Sequence, residues 1–156
     1  MNKLRWLELI GRTSADPEVR SLLQQAGVTD VPPVDPDDWE VTVDVTNCLL
    51  AFSRESLFPE RTDLDDGDTV LTGLSLPLRG MNWGEYTGPL PYDIERGSSR
   101  AELRSLLGEP IKSDDELFWD EWLVDELLVR VAYTEDFRDL EALTVHMSGL
   151  DDDDGD

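Results

Sequence analysis

The sequence has one cysteine, Cys48, and one histidine, His146, in 156 residues. A single cysteine excludes an intramolecular disulfide, and one cysteine with one histidine cannot complete a usual zinc site. A Ser-His-Asp triad would have to use His146, yet its neighbours Val145 and Met147 place it in an apolar strand with no nucleophile motif aimed at it. It reads as a solvated or edge-strand histidine. Cys48, set among apolar residues, reads as a buried and inert thiol. Long hydrophobic runs are also missing: nothing approaches the roughly 18 apolar residues of a membrane-crossing helix. The N-terminal stretch 1–11 is interrupted by Glu8 and lacks a small-residue cleavage site, so it does not read as a signal peptide. The expected compartment is the cytoplasm.

Cations are scarce. Thirteen Lys and Arg face 36 Asp and Glu, a formal charge of −23. Five of the acids are Asp151 to Asp154 and Asp156; without them the body still carries −18. Such a surface is repelled by nucleic acid and by anionic membranes, and it draws basic partners inward. So many carboxylates call for a search for hard-cation sites. Residues 63–68 faintly follow a calcium-binding loop, but the glycine, Gly67, is fifth and the twelfth position is Leu74 where a bidentate Glu is needed. A solvated turn is the better reading. Gly80, Gly84 and Gly88 are too widely spaced to cradle a phosphate, and no acid pair is marked for glycosidase work. No cofactor, metal or catalytic residue is expected, and the chain reads as a non-enzyme.

What is present belongs to a folded protein: 39% hydrophobic residues and five Trp. The clearest stretch runs from Tyr86 to Pro110. Ser99 is an N-cap and Glu102 stands three residues on, a capping box. Leu103, Leu106 and Leu107 make one apolar stripe; Gly108 ends the helix and Pro110 prevents its restart. Asp16-Pro17-Glu18 opens an earlier helix with Val19, Leu22 and Leu23 inward and Gly27 at its end, and Leu4 and Leu7 mark a short helix before it. Residues 31–38, with three prolines, read as a linker.

From Trp39 the period becomes two. Trp39, Val41, Val43 and Val45 alternate with Glu40, Thr42 and Asp44, which puts Trp39 on the core side. A turn at Thr46-Asn47 leads to a strand over 49–53, and a third strand covers 69–78 after an acidic loop. Beyond the 99–107 helix, strands are expected over 117–120, 127–134 and 140–147, with 122–126 open between turn and strand. The tail 151–156 is disordered on composition.

The two halves look alike. Glu18-Val-Arg-Ser-Leu-Leu23 and Glu102-Leu-Arg-Ser-Leu-Leu107 share five of six residues, 84 positions apart. Leu49–Phe52 and Leu71–Leu76 then match Leu127–Arg130 and Leu140–Val145. The expected fold is α+β over 1–150: an antiparallel sheet with helices on one face, built from two helix-plus-three-strand pseudo-repeats at about 14–78 and 97–149.

Acids interleaved with aromatics form the candidate binding residues. They are Asp37 and Asp38 beside Trp39; Asp65 and Asp66; Trp83, Glu85 and Tyr86; and Asp114, Asp115, Glu116, Trp119, Asp120, Glu121 and Trp122. Desolvated aromatics concentrate binding energy while surrounding charge sets association rate and partner choice. Trp119 and Trp122 have opposite parity, so in one strand at least one of them leaves the core.

Tyr86-x-Gly88-x-Leu90-Pro91, followed by Ser99-Arg-Ala-Glu-Leu-Arg-Ser-Leu-Leu-Gly-Glu-Pro110, a tryptophan and a strand ending in Tyr133, resembles small bacterial immunity partners of polymorphic or contact-delivered toxins. The resemblance covers about the last 70 residues, and the first half only through its helix and following hairpin. It implies an α+β protein that binds and blocks a cognate toxin domain, a basic one given the charge. Leu107-Gly-Glu-Pro110 and the strands after it are also similar to the β-lactamase inhibitor protein and to small outer-membrane assembly lipoproteins. From those the chain departs in having no signal peptide, lipobox cysteine or disulfide. Two other readings stand beside this one: a nonenzymatic regulatory module for a different basic protein, and a hydrolase using carboxylates with a divalent ion.

Overall fold

Ser99 begins the best-specified element. In a computed structural model, which describes residues 5–29, 31–35, 37–45, 47–58, 60–62, 64, 68–78, 85–88 and 90–148, its hydroxyl accepts from the Glu102 amide at 3.2 Å. The Glu102 carboxylate accepts from the Ser99 amide at 2.8 Å, so both arms of the capping box are made. The helix Arg100–Leu107 (α3) ends at Gly108, whose φ of 92° no side chain adopts without strain. It is preceded in the chain by α1 (Arg5–Leu9) and α2 (Pro17–Gln25). Asp16 caps α2 by accepting from the Glu18 amide at 2.8 Å.

The strands are β1 (Glu40–Val45), β2 (Cys48–Arg54), β3 (Thr69–Pro77), β4 (Lys112–Asp114), β5 (Trp119–Val124), β6 (Leu127–Tyr133) and β7 (Leu140–Met147). They form one antiparallel sheet in the order β1-β2-β3-β7-β6-β5-β4. The fold is α+β. Trp6 and Leu9 of α1, Val19 and Leu23 of α2 and Leu103 of α3 join one buried cluster with Val43, Leu50, Phe52, Leu74, Leu76, Val129, Val131, Leu143 and Val145. The helices therefore cover one face of the sheet, whose alternate residues turn inward. Among the described residues, no helix is long and apolar enough to cross a membrane.

The two ends of the sheet are related by a two-fold pseudo-axis. Two three-strand meanders, each preceded by a helix, meet through β3 and β7, which pair Gly73 with His146, Ser75 with Thr144 and Pro77 with Ala142. Each meander carries a bulge. Thr72 is the extra residue between Leu71 and Gly73 opposite Ala51 and Phe52, and Glu141 the extra one between Leu140 and Ala142 opposite Ala132 and Tyr133. The bulges make Leu71, Gly73 and Ser75 equivalent to Leu140, Ala142 and Thr144. They also align Ala51-Phe52 with Ala132-Tyr133, three residues further along β6 than the match of Leu49–Phe52 with Leu127–Arg130 suggests.

Two local expectations need correction, and one stretch left open is resolved. Leu117 and Phe118 lie in a turn, not in a strand, and Phe118 has φ of 63°. The Asp114 carboxylate accepts from the amides of Glu116 and Leu117, each at 2.9 Å, and so closes that turn after the short edge strand β4, which period-two reasoning did not find. The 122–126 stretch divides: β5 runs on to Val124, and Asp125-Glu126, with φ of 51° and 71°, turn the chain into β6. Trp39 lies outside the core and just before β1, 66% exposed.

Candidate functional site

The face of the sheet turned away from the helices can be read row by row from the strand register. One row crosses Thr42, Ala51, Gly73, His146, Leu128 and Leu123; the next crosses Asp44, Leu49, Ser75, Thr144, Arg130, Glu121 and Lys112. A third holds Pro77, Ala142, Ala132 and Trp119. Ala51, Gly73, Ser75, Ala142 and Thr144 keep the middle of this face low over β2, β3 and β7. A trough of about 650 Å³ results over the β1–β2–β3–β7 half. Its floor is Ala51, Ser53, Thr72, Gly73, Ser75, Thr144 and His146, and its rim is Trp39, Glu40 and Leu57. That volume is of the order of a small-ligand pocket or a short peptide segment.

Several sequence choices shape this trough. Gly73 lets β3 and β7 approach: a Cβ there would lie 2.7 Å from the Cβ of His146 and 2.8 Å from the Val145 carbonyl oxygen. The bulge turns the Thr72 hydroxyl to donate to the Ala51 carbonyl at 3.2 Å and to share a 2.8 Å hydrogen bond with Ser53. Ser75 and Thr144, on the pseudo-axis, have their hydroxyl oxygens 3.4 Å apart. His146 Nδ1 lies 3.1 Å from the Met147 carbonyl oxygen, and the carbonyl can only accept, so Nδ1–H donates and Nε2 is left for a ligand. At the rim, the Asp38 amide donates to the Asp35 carbonyl at 2.9 Å. Arg54 donates its amide to the Trp39 carbonyl at 3.0 Å and a guanidinium N–H to the Asp38 carbonyl at 3.1 Å. These bonds hold Trp39 at the mouth.

The residues singled out from the sequence fall in different places. Asp37, Asp38, Glu85 and Glu116 are exposed, the first two beside Trp39. Asp115 is exposed but bound to Arg100 at 2.6 Å, and Asp114 is half-buried in its turn. Asp65, Asp66 and Trp83 lie outside the described residues, as does most of the 63–68 loop. Trp119 and Trp122 separate as their parity requires. Trp119 is half-buried on the open face, under the Arg130 guanidinium at 3.9 Å. Trp122 is in the core and donates its indole N–H to the Gly108 carbonyl at 2.8 Å.

Four of the candidate residues are buried. Tyr86, Asp120 and Trp122 are inside, and Glu121 is buried on the open face beneath Arg130. A Trp-rich β5 reads as amphipathic in either direction, and only the sheet decides which face is covered. Burial, then Cys48 nearby, pushes the Tyr86 hydroxyl up to about 12. Glu121 receives Arg130 Nε–H at 2.9 Å. Asp120 is fully buried and accepts from Arg100 at 3.1 Å, from Arg104 at 2.8 and 3.1 Å and from the Tyr133 hydroxyl at 2.9 Å. Burial raises its pKa, but the bonds from Arg104, Arg100 and Tyr133 together outweigh that and hold it below the ordinary carboxylate value. These carboxylates hold α3 and β6 to β5. Cys48 is buried, as its apolar setting implied, and burial pushes its thiol up to about 12.

The residues that line the trough escaped sequence reasoning, Trp39 included, since the alternation placed it in the core. His146 is on β7, fourth of the seven strands in spatial order, so it is not an edge-strand histidine; it is half-buried. The signal available was the alternation Ala142, Thr144, His146 on the face opposite Leu143 and Val145. Serine, threonine and glycine on a strand carry no functional mark until the neighbouring strands are known. Among the described residues there is no group of three or more His, Cys, Asp or Glu able to hold a metal ion. What the trough offers is hydrogen-bond acceptors, one carboxylate and one exposed indole, a set suited to binding. In comparisons with protein-family models, curated proteins and solved structures, nothing matches this chain.

Proposed function

We propose that the protein is a cytoplasmic immunity protein: a nonenzymatic binder that neutralises a cognate basic toxin domain by occluding its active site. The observation that carries this reading is how the few cations are used. Arg100 and Arg104 are held by buried Asp120, and Arg130 by buried Glu121; Arg5 and Arg12 pair with Glu18. Meanwhile Asp37, Asp38, Glu40, Asp44, Glu85 and Glu116 are exposed. These pairings leave the net charge of −23 unchanged, and acids predominate among the exposed charges that remain. A rigid acidic surface with an exposed indole competes well for a groove built to hold phosphate. Neither nucleic acid nor an anionic membrane suits such a surface.

The test is affinity purification of the tagged protein from the organism that encodes it, followed by separate expression of whatever co-purifies stoichiometrically. The expected partner is a single basic protein, toxic alone and harmless when co-expressed. Its association rate should fall steeply from low to high salt, because the steering charges are screened beyond roughly 8 Å at physiological ionic strength. A rate indifferent to salt sinks the steering argument. A basic partner without toxicity moves the protein to the regulatory class, and the lack of any stoichiometric partner overturns the proposal.

A further inference from the structure

The pseudo-symmetry of the sheet makes its two ends comparable, and they differ in one respect. On the β5–β6 side the open face is filled by the chain itself. Arg130 lies over the Trp119 ring at 3.9 Å and bonds Glu121 at 2.9 Å. On the β1–β2 side the equivalent of Trp119 is Thr42 and that of Arg130 is Leu49, so the space beside Ala51 stays open as the trough. An aromatic ring and a carboxylate are nonetheless present there, from Trp39 and Glu40 just up the strand. The lining also has the hydroxyls of Ser53, Thr72, Ser75 and Thr144, one acid, and neither Lys nor Arg among its described residues. An arginine completes such a set chemically. Its planar guanidinium stacks on an indole, pairs with a carboxylate and donates up to five N–H bonds, for which hydroxyl oxygens are acceptors.

We infer that the trough is an anchor pocket for an arginine side chain on a loop of the partner, held between Trp39 and Glu40 over the Ser53–Thr72 and Ser75–Thr144 hydroxyls. The inference rests on the proposed function in taking the partner to be a basic protein, and it names the group that partner inserts. The charge of the rim matches a cation: Glu40 lines the mouth, and Asp37 and Asp38 stand exposed on the turn that carries Trp39. Arg54 holds the backbone carbonyls of Asp38 and Trp39, which fixes where the Trp39 side chain leaves the chain at the mouth. The Arg130–Trp119–Glu121 group shows that this sheet face accommodates a guanidinium held by an indole and a carboxylate within the chain.

The probe is a capped tripeptide, acetyl-Gly-Arg-Gly-amide, titrated against the full chain and followed by the NMR signals of the Trp39 indole N–H and the His146 ring. Matching peptides carry lysine or the isosteric, uncharged citrulline in place of arginine. Saturable shifts at Trp39 and His146 are expected with arginine. The double variant Trp39→Ala/Glu40→Gln, checked for an unchanged fold by circular dichroism, should bind roughly tenfold more weakly, since it loses both the stacking and the charged bond. Equal shifts with citrulline, equal binding of lysine, shifts confined to other tryptophans, or no saturable shift would each overturn the inference. The same variant separates this idea from the proposed function. A toxin partner that binds it undiminished removes the arginine pocket and leaves immunity standing; saturable arginine binding in a protein with no toxic partner does the reverse.

Discussion

Asp120 shows how burial and charge are reconciled at one position. A fully buried carboxylate is costly unless its lone pairs are filled, and two arginines and Tyr133 fill them. Asp120→Asn would leave both guanidinium groups beside a neutral amide, and Asp120→Ala would leave them with a void. Losing one partner of such a group costs about 3–5 kcal/mol, to be read as a lower urea midpoint. The sign of the pH dependence follows from the direction of the shift. The folded pKa is below the unfolded one, so the stabilisation is complete above the ordinary carboxylate value and is lost as pH falls through the folded value. The stability gap between the parent and Asp120→Asn should therefore be constant near neutrality and shrink in acid. A gap that widens in acid would contradict the assignment.

Among the elements, α3 is the one whose local chemistry and tertiary role coincide. Its capping box sets where the helix begins, and that start places Arg100 and Arg104, one turn apart, against Asp120. Ser99→Ala should cost about 1 kcal/mol in chemical denaturation, with far-ultraviolet dichroism little changed. The pairing of β3 with β7 is specified differently. Gly73→Ala drives a methyl into the His146 Cβ and the Val145 carbonyl, and should cost about 1–3 kcal/mol. At the pseudo-equivalent position Ala142 already carries a Cβ, opposite Pro77, and Ala142→Gly should cost only about 0.5–1 kcal/mol. Comparable losses for both changes would show that the contact at Gly73 is not what constrains the two strands.

For the molecule as a whole, the proposed binding separates into contributions of charge and of shape. Residues 151–156 contribute five of the charges, leaving −18 without them. If affinity resides in the open sheet face, deleting 151–156 should change partner affinity by no more than about a factor of three at physiological salt, with the main loss in association rate at low salt. A collapse of affinity on that deletion would instead place the binding determinant in the tail.

The sequence alone determined what depends on neighbours within a few residues. The caps at Asp16 and Ser99, the stop at Gly108, and strands over 40–45, 69–77 and 140–147 follow from side-chain-to-backbone hydrogen bonds, a positive φ and a two-residue period. The α+β class followed from their order. Tertiary structure decided which alternate set of each strand met the helices, because period two marks two faces without saying which is covered. Trp119 and Trp122 were separable by parity, yet Asp120 and Glu121 between them were read as outward until α3 and β6 supplied their arginines. The trough was least legible of all. Ala51, Gly73, Ser75, Thr144 and His146 come from three strands and become one surface only through the β2–β3 and β3–β7 registers, which are long-range pairings that no local window contains.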